Sequence, residues 1–295
     1  MIAINNLRVK YGEEIALKID RPINFLNGDR IGIIGSNGAG KSTLIKSILG
    51  ITKYTGNIYT KINPEDIAVH MQSNEYVETM KIKYIIEGIL STKIKKNKKL
   101  EELIKFFEFE ECINKKYQML SGGQKQRLTI ILVLMQESSL VFFDEVTSGL
   151  DFETRVALMS KIKKWYENKE TAICIVSHYY DELENIAKKI LILDNGNVID
   201  FDNKDTLFKR YCGNSIIIID NTNANKDITN IYNTIVSPEH LIAISCRDKN
   251  EEISICKMLI DNNINFKRSN NDIEIMYMNA KNKFYSSIGG GSNEK

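Results

Sequence analysis

Four short stretches of the chain are almost continuously apolar: RIGIIG at 30–35, LVFFDE at 140–145, TAICIVSH at 171–178 and KILILDNG at 189–196. Runs of this length without polar alternation predict strands covered on both faces, as in a parallel sheet. Stretches with helical spacing follow two of them, KSTLIKSIL after the first and FETRVALMSKIKKWYEN after the second. Strand and helix in alternation predict an α/β arrangement around a mostly parallel sheet. LTIILVLM at 128–135 reads as a buried helix and IIII at 216–219 as a buried strand.

Elsewhere the pattern changes. Residues 1–27 and 51–70 alternate polar and apolar positions between Gly and Asn breaks, which predicts antiparallel strands packed to one side. Residues 74–119 are mainly helical and polar. The basic run KIKKNKK at 93–99 reads as a solvated face, with a contact to acidic lipid or to a partner as the alternative. A boundary is expected near 205–214, around YCGN. It divides the chain into a domain at 1–210, a small α+β domain at 211–288 and a flexible Gly-rich tail at 289–295. In the second domain SIIIID, a helical stretch near 226–235, HLIAIS, EEISICKMLIDNN, INFKRS and DIEIMYM predict a β-α-β-α-β-β order.

Composition narrows the function classes. The 295 residues carry 40 basic and 38 acidic side chains, a net charge of +2, which gives no electrostatic case for a nucleic-acid binder. Apolar residues at 43% and charged residues at 26% are ordinary for a globular protein. No apolar run approaches the roughly 18 residues of a membrane span. MIAINNLRVK lacks the features of a secretory leader. The five cysteines show no metal-ligand spacing and are expected to be reduced packing residues in the cytosol.

The first apolar strand feeds GSNGAGKST at 35–43, a phosphate-loop pattern in the strand–loop–helix setting it requires. Glycines let successive backbone N–H groups turn inward toward phosphate oxygens. Lys41 adds positive charge, the Ser42 hydroxyl is a candidate Mg²⁺ ligand, and the helix N-terminus adds its partial charge. The second strand ends on Asp144, a candidate for a Mg²⁺-bound water, followed by Glu145, a candidate base for an attacking water. The third ends on His178, one of three histidines. Gly35, Asp144 and His178 therefore stand at the carboxyl ends of predicted parallel strands, the edge where open α/β sheets bind ligands.

With LSGGQ at 120–124, the chain resembles the ATP-binding subunits of the ATP-binding cassette (ABC) transporter family over roughly residues 1–210. GSNGAGKST matches the Walker A loop and LVFFDE matches Walker B plus the catalytic glutamate. SGLD at 148–151 matches the D-loop, His178 the switch histidine, and Gln72 in AVHMQSN the Q-loop glutamine. Tyr11 falls where the family stacks an aromatic ring on adenine. The resemblance implies a phosphate-loop ATPase core with an antiparallel β subdomain and a helical subdomain, plus the small C-terminal appendage. It implies ATP held by Tyr11, Gly35, Ser36, Asn37, Gly38, Ala39, Gly40, Lys41, Ser42 and Thr43. Mg²⁺ falls to Ser42, Gln72 and Asp144, and catalysis to Glu145 and His178. Ser121, Gly122, Gly123 and Gln124 are implied to reach the nucleotide of a second subunit in trans.

Further implications concern partners. A homodimer is expected, with a heterodimer as the alternative. It is expected to sit on the inner face of the cell membrane through a separately encoded permease docking near residues 73–90. Export of a peptide, antibiotic or similar compound is the expected task. The alternatives are an importer subunit and a soluble ABC ATPase acting in translation or on DNA. The sequence departs from the family in carrying Val146 where proline commonly follows the glutamate, and in a short stretch between Lys41 and Gln72.

Overall fold

The computed structural model describes residues 2–71, 76–222, 225 and 227–289. The chain opens with β1 (Ile2–Tyr11), β2 (Glu14–Ile19), β3 (Ile23–Phe25) and β4 (Arg30–Ile34). Next come α1 (Lys41–Ile48), β5 (Thr55–Thr60), β6 (Ile67–His70), α2 (Ile82–Ile89), α3 (Lys98–Phe106) and α4 (Gly122–Met135). β7 (Leu140–Asp144), α5 (Phe152–Tyr166), β8 (Ala172–Val176), α6 (Tyr180–Ile186), β9 (Lys189–Asp194), β10 (Asn197–Asn203) and α7 (Lys204–Cys212) follow. The chain continues through β11 (Ser215–Asp220), α8 (Ile228–Ile231), β12 (Thr234–Ile235), β13 (Leu241–Cys246), α9 (Lys249–Asp261), β14 (Phe266–Ser269) and α10 (Ile273–Gly289).

The main sheet has the order β3-β1-β2-β10-β9-β4-β8-β7-β6, with β5 also paired to β1. β9, β4, β8, β7 and β6 run parallel; β1 pairs antiparallel with β2, β3 and β5. Every residue of β7 and β8 is buried, which is why their sequences show no alternation. Successive side chains enter opposite layers. Phe142, Cys174 and Val176 pack with α1 and the N-terminal strands, while Phe143, Ile173 and Ile175 pack with α4 and α5. β6 corrects the expectation for 51–70: it is not one of the antiparallel strands but runs parallel to β7, with Ile67 opposite Leu140. Three of its four residues are buried, so it belongs with the covered strands.

Register fixes the functional edge. Ile33 and Asp144 both pair with Val176, so the loops after β4, β7 and β8 leave the sheet at one level.

The second sheet is antiparallel, in the order β12-β13-β11-β14. Ile217, Ile219 and Ile244 bury against Ile255 and Leu259 of α9. Ile216, Ile218 and Ala243 point the other way, into the same core as Ile190, Ile192 and Phe208. DIEIMYM, expected as a strand, is the start of α10. Its alternation is local, and over the longer stretch Ile273, Met276, Tyr277 and Ala280 share one buried face at helical spacing. Asp272 caps the helix by accepting the Ile275 N–H (3.0 Å), and Glu184 of α6 accepts the Ile273 N–H (3.2 Å). α10 thus lies on α6, α7 and β10. Of the tail expected at 289–295, residues 290–295 lie outside the described residues.

Candidate nucleotide site

β4 leads directly into the loop at 35–43, and the loop's glycines are set by close approach. A Cβ on Gly35 would stand 2.4 Å from the Leu193 carbonyl oxygen. Gly40, at the N-cap of α1, has φ +99°, and a Cβ there would meet the Ala16 carbonyl oxygen at 2.8 Å. Lys41 opens α1 and is buried. Its Nζ donates to the carbonyls of Gly35 (2.8 Å) and Ser36 (3.0 Å). Burial lowers the Lys41 pKa, and the charges of Glu145 and Asp144 oppose that.

The loop borders a cavity of about 730 Å³. Its walls come from residues 37–43 together with Tyr11, Asp144, Glu145, Asn195 and Gly196. This volume lies within the range of roughly 300–1,000 Å³ typical of small-ligand sites. Tyr11 is half exposed at the rim, its hydroxyl 3.4 Å from Thr52 Oγ1. Gly35 and Ser36 belong to the loop but do not line the cavity, and the Ser36 hydroxyl donates to Asp194 Oδ1 (2.8 Å).

The acids and the histidine meet at the same edge. Ser42 Oγ lies 3.4 Å from Asp144 Oδ2. Burial, then the adjacent charge of Glu145, raises the Asp144 pKa. His178 Nε2 lies 2.9 Å from Glu145 Oε1. Glu145 has a left-handed backbone (φ +50°), a conformation costly for a side chain with a Cβ, and its N–H donates to the Val176 carbonyl (3.0 Å). Val146 is fully packed into the core, so side-chain burial secures this turn where a proline ring would do so by fixing φ.

Behind His178, Ser177 Oγ donates to buried Glu182 (2.7 Å) and accepts the Tyr179 N–H (3.0 Å). The Arg155 guanidinium lies 3.5 Å from the centre of the Tyr179 ring and beside Glu182. The donor set suits a magnesium nucleotide. The backbone N–H groups at the start of α1 suit an anion, Lys41 supplies a cation, and Ser42 with Asp144 offers hard oxygens of the kind Mg²⁺ takes. Gln72, the expected third oxygen, lies outside the described residues.

Ser121 is the N-cap of α4. Gln124 N–H donates to Ser121 Oγ (3.3 Å) and Ser121 N–H donates to Gln124 Oε1 (3.1 Å), a reciprocal capping box. Ser121 and Gly122 are exposed, and Gly123 and Gln124 are half-buried. Among the described residues, none of these four lines the cavity.

Sequence reasoning had not singled out Asp194, Ser177, Glu182 or Arg155. Asp194 carried a legible signal: it ends KILILD, a fourth buried strand reaching the same edge. The other three act through contacts between α5, α6 and the β8 loop, which no linear spacing displays.

Residues 22–148 match the model of the family described as ABC transporter. The manganese transport system ATP-binding protein MntB of Halalkalibacterium halodurans is 31% identical over 236 residues, 72% of this chain and 93% of that protein. The linearmycin resistance ATP-binding protein LnrL of Bacillus subtilis is 29% identical over 234 residues, 74% of each chain. Among the relatives compared, the chain spans from 52% to 93% of the other protein's length. The solved structure of cbiO1 from Clostridium perfringens, part of the ABC transporter complex cbiONQ, is 26% identical with a TM-score of 0.62. The match covers 70% of this chain and 90% of that one. Among the described residues no helix is long and apolar enough to cross a membrane.

Proposed function

The chain belongs to the ABC transporter family as an ATP-binding subunit, a family whose members hydrolyse ATP, and on that premise we propose that it hydrolyses Mg·ATP to power a separately encoded membrane subunit. The observation that carries the reading is the convergence of Lys41, Ser42, Asp144 and Glu145 around one cavity at one sheet edge, with His178 held against Glu145.

Each group has a task that follows from its setting. The loop's backbone N–H groups and Lys41 Nζ bind and orient the phosphates. When bound, Mg²⁺ offsets phosphate charge, and Ser42 and Asp144 are the described residues that would hold it. Glu145 takes a proton from the attacking water at a carboxylate oxygen. His178 Nε2, 2.9 Å away, orients that carboxylate and contributes to the γ-phosphate side of the site.

Ser121, Gly122, Gly123 and Gln124 serve a second copy. The exposure of Ser121 and Gly122 at a helix N-terminus, outside the lining of the chain's own cavity, supports a head-to-tail dimer in which each signature turn covers the partner's nucleotide. Closure around ATP and opening after hydrolysis then form a two-state element biased by a ligand. The permease is expected against the surface near 73–90, of which 76–90 is described. There Val77, Tyr84 and Ile89 are exposed apolar side chains. Residues 1–210 form the motor in this reading and 211–288 its appendage.

Export of a peptide, antibiotic or similar compound is the direction we propose, with an importer subunit as the second reading; the similarity to a protein named for linearmycin resistance supports the first and to one named for methionine import the second. The test is Mg²⁺-dependent phosphate release by the isolated protein, then by its complex with the membrane protein that co-purifies with it. Absence of release in both would overturn the proposal.

A further inference from the structure

Asp194 is 2% exposed, at the end of β9. Its Oδ1 accepts from Ser36 Oγ (2.8 Å) and Tyr277 OH (3.2 Å) and lies 3.0 Å from Lys281 Nζ. Its Oδ2 accepts from Tyr285 OH (2.8 Å) and Asn195 Nδ2 (3.2 Å). A buried carboxylate persists as an anion only with such partners. Three of them, Tyr277, Lys281 and Tyr285, come from α10.

The other end of this cluster is the phosphate loop. The Ser36 hydroxyl is held by Asp194, and the Ser36 carbonyl accepts from Lys41 Nζ. One residue therefore ties the buried acid to the loop's lysine. A second tie runs beside the first. Asn195 Nδ2 donates to Tyr285 OH (3.1 Å), and Asn195 and Gly196 line the cavity. Further along, α10 is bound to α6, the helix that follows His178. The link runs through Glu184 and through the Tyr180 and Tyr277 rings, whose centres are 6.4 Å apart.

We propose that Asp194 is a positioning residue for the phosphate loop and that Tyr277, Lys281 and Tyr285 of α10 hold it in place, so that the C-terminal helix sets part of the affinity for ATP. The inference rests on the reading of this loop as an ATP site. Without its α10 partners Asp194 keeps, among the described residues, only Ser36 and Asn195. It then takes up a proton or turns toward water, and in either case Ser36 loses its anchor. By linkage the coupling is reciprocal: nucleotide on the loop steadies α10.

The test is calorimetric titration of the full chain with Mg·ATP. Asp194→Ala weakens binding by about five- to tenfold, and Lys281→Met with Tyr285→Phe by about threefold, within the range of couplings measured in shared networks. Asp194→Asn, which keeps one acceptor oxygen for Ser36, retains more affinity than Asp194→Ala. Ser36→Ala also weakens binding. In that background the α10 substitutions add less than they do in the native chain, because only the tie through Asn195 is left for them to cut.

Substitutions on α10 that leave affinity native, or that multiply fully with Ser36→Ala, overturn the inference. If a variant fails to fold, amide exchange in the native chain decides: Mg·ATP slows exchange across 277–285, and unchanged exchange there overturns it. Failure of the native chain to bind Mg·ATP refutes the ATP-site reading, a different result from native binding with indifferent variants.

Discussion

Glu145→Gln separates chemistry from binding in this site. The substitution is close to isosteric, and glutamine keeps an oxygen for the His178 Nε2 that now sits 2.9 Å from Glu145 Oε1. The left-handed backbone at this position is retained, so its strain of about 1–2 kcal/mol is common to both proteins and stability changes little. What is lost is the proposed base. General-base catalysis contributes roughly 10²–10⁴ in rate, or about 3–5 kcal/mol of barrier.

Removing the charge has a second effect of opposite sign. Glu145 is one cause of the raised Asp144 pKa, so its neutralisation lets Asp144 ionise more readily and favours a cation beside it. Phosphate release should therefore fall at least a hundredfold while Mg·ATP affinity stays level or improves, and the ATP-bound dimer should persist. Phosphate release, calorimetry and light scattering with Mg·ATP read the three quantities. Hydrolysis within tenfold of native, or only monomer with ATP bound, would refute the assigned roles.

Further outcomes follow from the same geometry. Lys41→Ala should weaken Mg·ATP binding by about 10- to 150-fold, the worth of a hydrogen bond to a charged group, as read by calorimetry; unchanged affinity would remove Lys41 from phosphate binding. Because the Asp144 pKa is raised, lowering the pH should protonate it earlier than an ordinary carboxylate. The Mg²⁺ concentration for half-maximal hydrolysis should then climb as pH falls, while an invariant requirement would separate Asp144 from the metal. Ser121→Ala should cost about 0.5–2 kcal/mol through the lost cap, seen as a lower melting temperature. It should also reduce hydrolysis without changing ATP affinity in the monomer. Asp200, buried, has its pKa raised by that burial but lowered more by Tyr211 and Arg210. Its stabilisation is complete above the unfolded value of about 3.9 and is lost as pH falls through the lower folded value. Asp200→Asn should thus lower the melting temperature at neutral pH and lose that effect in strong acid.

Much of this candidate site is legible in the sequence, for a physical reason. A phosphate loop must follow a buried strand and open a helix, and its acids must end neighbouring strands. Spacing and burial therefore leave a linear trace in RIGIIG, LVFFDE and IVSH. β6 escaped that reading because four residues are too few for alternation to separate a covered strand from a half-covered one. α10 escaped because DIEI alternates and the short apolar run after it fits a strand as well as a helix, and the later Ala280 and Phe284 are needed to extend Ile273, Met276 and Tyr277 into a helical face. The Asp194 cluster escaped for a third reason. Ser36, Asp194 and Tyr277 are separated by 158 and 83 positions, so their meeting is a property of the fold alone.

Those separations bear on how the protein is made. At roughly 5–20 residues per second, tens of seconds pass between synthesis of Ser36 and synthesis of Tyr277. Over the first 158 of those positions the phosphate loop has no acid anchor, and over the next 83 the anchor lacks its α10 partners while the apolar face awaiting Ile273 and Met276 stays open. The newborn chain is thus most exposed to misassociation just before α10 emerges, and docking of that helix closes both the core and the window.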